Sequence, residues 1–221
     1  MNWKKILITG ANGQLGHEMR NALKGNNRFE CIFTDVAELD ICNAEAVKQT
    51  IADNHIDYIV NCAAYTQVDK AEDNTELCRK INTDAVENLA RAAADYGARM
   101  IHISTDYVFN GRGYRPYTED MVPDPQSVYG STKLEGEKIL TDICPESIII
   151  RTAWLYSPYG NNFVKTMLHL GEEREELSVV ADQIGTPTCA ADLAQAILVI
   201  LQADTFVPGT YHFSDEGVCS W

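Results

Sequence analysis

The chain has 221 residues, 45% hydrophobic and 23% charged, the proportions of a globular protein long enough to bury a large core; this excludes a disordered chain and a small stapled scaffold. Its formal net charge is −14 and it has no basic run, which argues against a protein that grips a nucleic-acid backbone. Seven cysteines, at 31, 42, 62, 78, 144, 189 and 219, are odd in number and never spaced C-x-x-C, so they are expected to be reduced and buried.

Met1 to Lys5 runs straight into a strand-like segment without the apolar region of a signal peptide, and Ala196 to Leu201 falls far short of the ~18 apolar residues of a membrane span. A cytoplasmic location and no membrane partner are expected. Ile6-Leu7-Ile8-Thr9 reads as a buried strand, followed by Gly10, Gly13 and Gly16 and then a helical pattern through Leu23. Glycines in such a strand-turn-helix permit a tight turn and close approach of backbone to a pyrophosphate, with the helix N-terminus facing the phosphates. Phe29 to Asp35 reads as a second strand ending in an acid 19 positions after Gly16. A carboxylate there can accept from both ribose hydroxyls and repels a 2′-phosphate, which leans toward NAD.

A helix is expected from Asn43 to about Ala52, then a third strand, Tyr58 to Ala64, whose closing alanines, Ala63 and Ala64, leave room for a cofactor. Asp69-Lys70-Ala71-Glu72 has the form of a capping box, and Asn82 reads as a cap or a solvent-facing amide. Met100 to Thr105 is a fourth strand ending in Ser104 and Thr105, hydroxyls placed to grip a carbonyl oxygen at the sheet's carboxyl edge. The loop from Asp106 to Gln126 is rich in glycine and proline and long enough to be functional.

It leads to a helix from Ser127 to Thr141 in which Tyr129 and Lys133, four apart, share a face. An ammonium beside a phenol lowers its pKa by roughly 1 to 3 units, and a phenol so tuned is a general acid. Ser147 to Thr152 is a fifth strand, after which Trp154 can stack on a ring or cover the core. Asn161 to Arg174 reads as an amphipathic helix with Phe163, Met167, Leu168 and Leu170 on its buried side. Ser178 to Asp182 is expected as a sixth strand, Thr188 as the cap of a last helix to Leu201, and Tyr211 to Phe213 as one more strand. The five histidines show no metal-ligand spacing. Alternating strands and helices with short connections predict an α/β fold with a doubly wound parallel sheet, Rossmann-like.

Taken in order, Gly10/Gly13/Gly16, Asn61-Cys62-Ala63-Ala64, Thr105 and the Tyr129/Lys133 pair resemble the extended short-chain dehydrogenase/reductase family. Val68 to Glu72, Ser104 to Phe109, Arg151 to Tyr156 and Asp182 to Thr188 resemble more narrowly the members that reduce nucleotide sugars. That resemblance implies reduction of the C4 ketone of dTDP-4-dehydro-6-deoxy-L-mannose to dTDP-L-rhamnose by NADH or NADPH. Tyr129 would give the proton, Lys133 would tune it and hold the nicotinamide ribose, and Thr105 would polarise the carbonyl. Thr105, Asp106 and Trp154 would touch the dTDP-sugar, while Gln14, Leu15, Asp35, Asp40, Ile41, Ala64, Tyr65 and Thr66 would line the cofactor.

The resemblance also implies a dinucleotide-binding domain of residues 1–153 with about 183–203, and a small substrate lobe of about 154–182 and 204–221. Family members continue beyond the position of Trp221, so this lobe is expected to be incomplete. A homodimer is compatible, but no metal is expected, because Ala191 stands where the acid of a metal-bridged dimer would be wanted. An epimerase on the same fold and a non-catalytic dinucleotide-binding regulatory subunit remain as alternatives. The pair Asp106-Tyr107 lacks the second acid that a dehydratase carries directly after its threonine.

Overall fold

In a computed structural model, which describes residues 3–221, one six-stranded, all-parallel sheet organises the chain. Met1 and Asn2, part of the N-terminal stretch read above, lie outside the described residues. In chain order the elements are β1 (Lys4–Thr9), α1 (Gln14–Ala22), β2 (Phe29–Phe33), α2 (Ala44–Asn54), β3 (Tyr58–Asn61), α3 (Val68–Asp73), α4 (Thr75–Arg79), α5 (Ala85–Tyr96) and β4 (Arg99–Thr105). There follow α6 (Val128–Ile143), β5 (Ile148–Thr152), β6 (Leu155–Tyr156), α7 (Phe163–Glu173), β7 (Ile184–Gly185), β8 (Thr188–Cys189), α8 (Ala190–Gln202), β9 (Gly209–His212) and β10 (Cys219–Ser220).

The strand order is β2-β1-β3-β4-β5-β9. The chain runs outward from β1 to β2 and then returns to the other side of β1, which makes the gap between β1 and β3 the point where strand order reverses. Open α/β sheets bind ligands outside the carboxyl ends of the strands at such a point. Both faces are covered, which is why the central strands read as unbroken apolar runs. Leu7, Ile59, Met100 and Ile149 pack beneath α2, α5 and α6, and Ile6, Ile8, Val60 and Ile150 face Leu15 and Met19 of α1 and Leu193 and Ile197 of α8. Among the described residues no helix is long and apolar enough to cross a membrane.

Several expectations are corrected. Ser178 to Asp182 is not a strand but an exposed connection, because β9 takes the free edge of β5 and leaves the segment no partner. β9 is the sixth strand of the main sheet. Thr188 lies in β8 rather than at a cap; Cys189 precedes α8, and its N–H donates to Asp215. No residue of α7 is fully buried, and Leu168 is 67% exposed, because the helix lies outside both main cores. All seven cysteines are free, but only Cys78 and Cys144 are buried and Cys219 is exposed.

The capping box is also replaced. Asp69 lies inside α3 and caps nothing, whereas Glu72 Oε1 accepts from Val128 N at 2.9 Å, across to the start of α6. Ser127 Oγ accepts from Gly130 N at 3.1 Å, so two side chains from different parts of the chain satisfy first-turn amides of the helix that carries Tyr129. Gly130 lets that helix settle, since a Cβ there would lie 2.2 Å from Tyr107 O.

Candidate active site

A cleft of about 930 Å³ opens along the carboxyl ends of β1, β3, β4 and β5. A second hollow, of about 710 Å³ between Trp3, Asn27, Arg28 and Gln202, lies at the opposite ends of the strands and carries no chemistry beyond a surface arginine.

The first wall of the cleft is the glycine turn. Gly10 has φ +63°, and a Cβ on it would lie 2.6 Å from Ala63 N, so the turn after β1 presses directly on the backbone after β3. Gly13 N donates to Gly10 O, and α1 begins at Gln14 with neither a side-chain cap nor an acid in its first turn. Its amides are therefore left for an anion, and the helix dipole favours one there. Gly13, Gln14 and Leu15 line the cleft, while Gly10 and Gly16 sit behind them as packing. Gln14 is tied across the opening: its Nε2 donates to Leu155 O, and its Oε1 accepts from Asn162.

The second wall is the segment after β3. Ala64 and Thr66 face the cleft. Ala63 and Tyr65 do not; Tyr65 is clamped by its backbone, its N donating to Asn82 Oδ1 at 2.9 Å and its O accepting from Asn82 Nδ2 at 3.1 Å. Asn82 is buried in a single π-helical turn, Lys80–Asp84, so it is neither cap nor surface amide. Asp35 is also turned to structure, one oxygen accepting from Asn12 N and the other from Val36 N, which fastens the glycine turn to the end of β2. Asp40 accepts from Cys42 N, and Ile41 is buried in the core; with Asp35 they cluster around the end of β2, beyond the cleft itself.

At the centre lie Thr105, Asp106, Tyr129 and Lys133. Thr105 Oγ1 donates to Asp106 Oδ1 at 3.1 Å and accepts from Tyr107 N at 3.2 Å. Burial raises the Tyr129 phenol above the ordinary tyrosine value; the neighbouring Thr105 hydroxyl opposes this, and Asp106 adds to it. Burial likewise pushes the Asp106 carboxyl up to about 6, against hydrogen bonds from Thr105 and the local backbone. Lys133 is 1% exposed and burial pushes it down to about 8, while Glu137 and Cys78 act in the opposite sense. The expected lowering of Tyr129 by Lys133 is absent; Nζ is engaged elsewhere, donating to Ile103 O at 2.6 Å and meeting His102 Nε2 at 3.2 Å. Arg151, near the end of β5, is committed to Glu137.

Two hydroxyls at the strand ends, Ser104 Oγ and Thr152 Oγ1, are buried without a partner and also edge the cleft. Trp154 lines the cleft with φ +47° and stacks on Trp221 at 3.6 Å, and Phe163 packs against Trp221 at 4.3 Å. Phe163, Asn162 and Trp221 were not read as site residues. An N-cap asparagine before an amphipathic helix is the only local signal for the first two, and Trp221 reaches the cleft through the pairing of β10 with β7. A nicotinamide dinucleotide fits the uncapped α1 amides, the small residues after β3 and the unpartnered hydroxyls at the sheet edge.

This fold is that of the extended short-chain dehydrogenase/reductases, with a glycine turn and a Tyr-Lys helix meeting at one sheet edge. The family model described as RmlD substrate binding domain matches residues 4–221. The chain belongs to that family. It is 46% identical to the dTDP-4-dehydrorhamnose reductase of Escherichia coli K12, over 98% of this chain and 74% of that protein. Among solved structures it resembles a dTDP-4-dehydrorhamnose reductase from Clostridium acetobutylicum with TM-score 0.94 and 51% identity, covering 98% of this chain and 76% of the other. It also resembles the Bacillus anthracis reductase solved in complex with NADP, with TM-score 0.95 and 44% identity, covering 100% and 77%.

Proposed function

We propose that this chain reduces the C4 ketone of dTDP-4-dehydro-6-deoxy-L-mannose to dTDP-L-rhamnose, using NADH or NADPH. The observation that carries the reading is the buried Tyr129 phenol sharing the centre of the cleft with the Thr105 hydroxyl, in a chain whose relatives are named for that reaction. Thr105 Oγ1 and Tyr129 Oη together orient the ketone oxygen. When bound, the dinucleotide would supply a hydride for C4. As the carbonyl pair moves onto oxygen, Tyr129 gives it a proton, and the phenolate left behind recovers one from solvent. The raised phenol pKa keeps that proton in place across neutral pH. The α1 amides hold the pyrophosphate, and Lys133 and Thr66 face the nicotinamide end. Trp154 and Phe163 bound the sugar side, so the sheet half serves the cofactor and the segments after β5 serve the dTDP-sugar.

This reading calls for no nucleic-acid partner; it is compatible with a homodimer and with a cytoplasmic enzyme. The test is isotopic. With NADH deuterated at the transferred position, the deuterium appears at C4 of the product sugar; product without deuterium at C4 overturns the proposal.

A further inference from the structure

Behind Lys133 a line of buried polar side chains crosses the sheet strand by strand. Lys133 Nζ lies 3.2 Å from His102 Nε2, His102 Nδ1 lies 3.0 Å from Asn61 Nδ2, and Asn61 Oδ1 lies 2.6 Å from Thr9 Oγ1. Register places Thr9 beside Asn61 and Asn61 beside His102. All four residues are at most 1% exposed, so no water is at hand to mend a mismatch.

The hydrogens of this line can be assigned. Ala63 N, which can only donate, gives its hydrogen to Asn61 Oδ1 at 3.2 Å. Turning the carboxamide over would set NH₂ against N–H, so Nδ2 is the atom that faces His102, and it donates to Nδ1. A neutral imidazole has one hydrogen, which then sits on Nε2 and points at Lys133. Protonating the ring gives no escape, since burial alone holds His102 well below its ordinary pKa. An ammonium has no lone pair and meets Nε2–H donor to donor. A neutral amine accepts that hydrogen and still donates to Ile103 O.

We propose that Asn61 and His102 are positioning residues that lock the imidazole as the Nε2–H tautomer and so favour the neutral amine over the ammonium at Lys133 while no nucleotide is bound. The ammonium that tunes Tyr129 then forms when ribose oxygens offer Nζ better acceptors, a consequence that rests on the function proposed above. The other groups bearing on the amine are Glu137, one turn along α6 and paired with Arg151 of β5, and Cys78 of α4; both favour the charged form. Asp106 and Tyr107 act on Tyr129 instead.

The tautomer is read directly from a long-range ¹H–¹⁵N spectrum of the whole chain labelled at its histidines, without cofactor or substrate. His102 is the one fully buried ring of the five and is recognised by its failure to titrate. The expected result is a protonated Nε2 and bare Nδ1 from about pH 6 to 9; a protonated Nδ1, or both, overturns the proposal whatever the enzyme's substrate. Asn61→Asp supplies an acceptor that draws the hydrogen to Nδ1. The Lys133 midpoint, followed by ¹³C at Cε, should then rise by about one pH unit or more. An unmoved midpoint, or a raised one without a change of tautomer, contradicts the lock. Calorimetry of NADH binding in two buffers of different ionisation heat should show proton uptake above pH 8, and its absence contradicts the consequence for Lys133.

Discussion

Arg151 grips Glu137 from the neighbouring strand end, its Nε and Nη2 reaching both carboxylate oxygens at 2.7 to 3.2 Å with both side chains nearly sealed from water. Phe109 lies over the guanidinium at 5.2 Å, and Nη1 has no partner. A buried pair of this kind adds little net stability, but breaking it strands a charge. Glu137→Gln and Arg151→Met should each lower unfolding free energy by about 3 to 5 kcal/mol, and the double variant should recover much of the loss. Urea titrations of the single and double variants provide the check, with additive losses counting against the pair.

Tyr129→Phe keeps the ring that packs against Ala71 and Cys78 and edge-on to Tyr107, and removes only the hydroxyl. Turnover should fall roughly 10²- to 10⁴-fold, the usual worth of a positioned general acid. The dissociation constant for NADH, measured by fluorescence, should change little, because the phenol is spent on the ketone.

Asp106 links pH to both folding and catalysis. Its carboxyl titrates at about 6 in the folded protein against 3.8 ordinarily, so the fold keeps a proton that the unfolded chain releases between those values. The stability it contributes is therefore whole below about pH 3.8 and is lost as pH rises through about 6. Because the side chain borders the open cleft, the effect should amount to about 1 to 2 kcal/mol rather than the roughly 3 kcal/mol of a sealed group. Thermal melts from pH 4 to 7 should show this slope in the native chain and not in Asp106→Asn. The same variant should lose an inflection near pH 6 in kcat/KM.

Gly10→Ala should abolish dinucleotide binding and lower the melting temperature. The added methyl must find room 2.6 Å from Ala63 N at a φ of +63°, and the phosphate turn must shift to accommodate it. Gly25 also has positive φ, at +76°, yet its Cβ would meet nothing. Gly25→Ala thus serves as the control: it should cost some stability and leave NADH binding intact.

The sheet and the site were legible in the sequence to different depths. β1, β3, β4 and β5 stood out because strands covered on both faces are continuously apolar, and the α6 start stood out because Ser127 caps it. Ser178 to Asp182 misled because two adjacent valines satisfy a strand's composition whether or not an edge is free to receive them. Glu72 reads locally as half of a capping box, yet its partner is Val128, 56 residues on. In the site, the four-residue spacing placed Tyr129 and Lys133 on one helix but could not aim Nζ. Its partners, Ile103 O and His102, come from a strand about 30 residues away.

The central claim is best tested by following NADH and NADPH oxidation by this chain on addition of dTDP-4-dehydrorhamnose, with the nucleotide sugar analysed at the end. The account predicts one cofactor oxidised for each dTDP-L-rhamnose formed, and almost none with Tyr129→Phe. Conversion to an epimer with no net loss of cofactor, or cofactor bound but never oxidised, would contradict it.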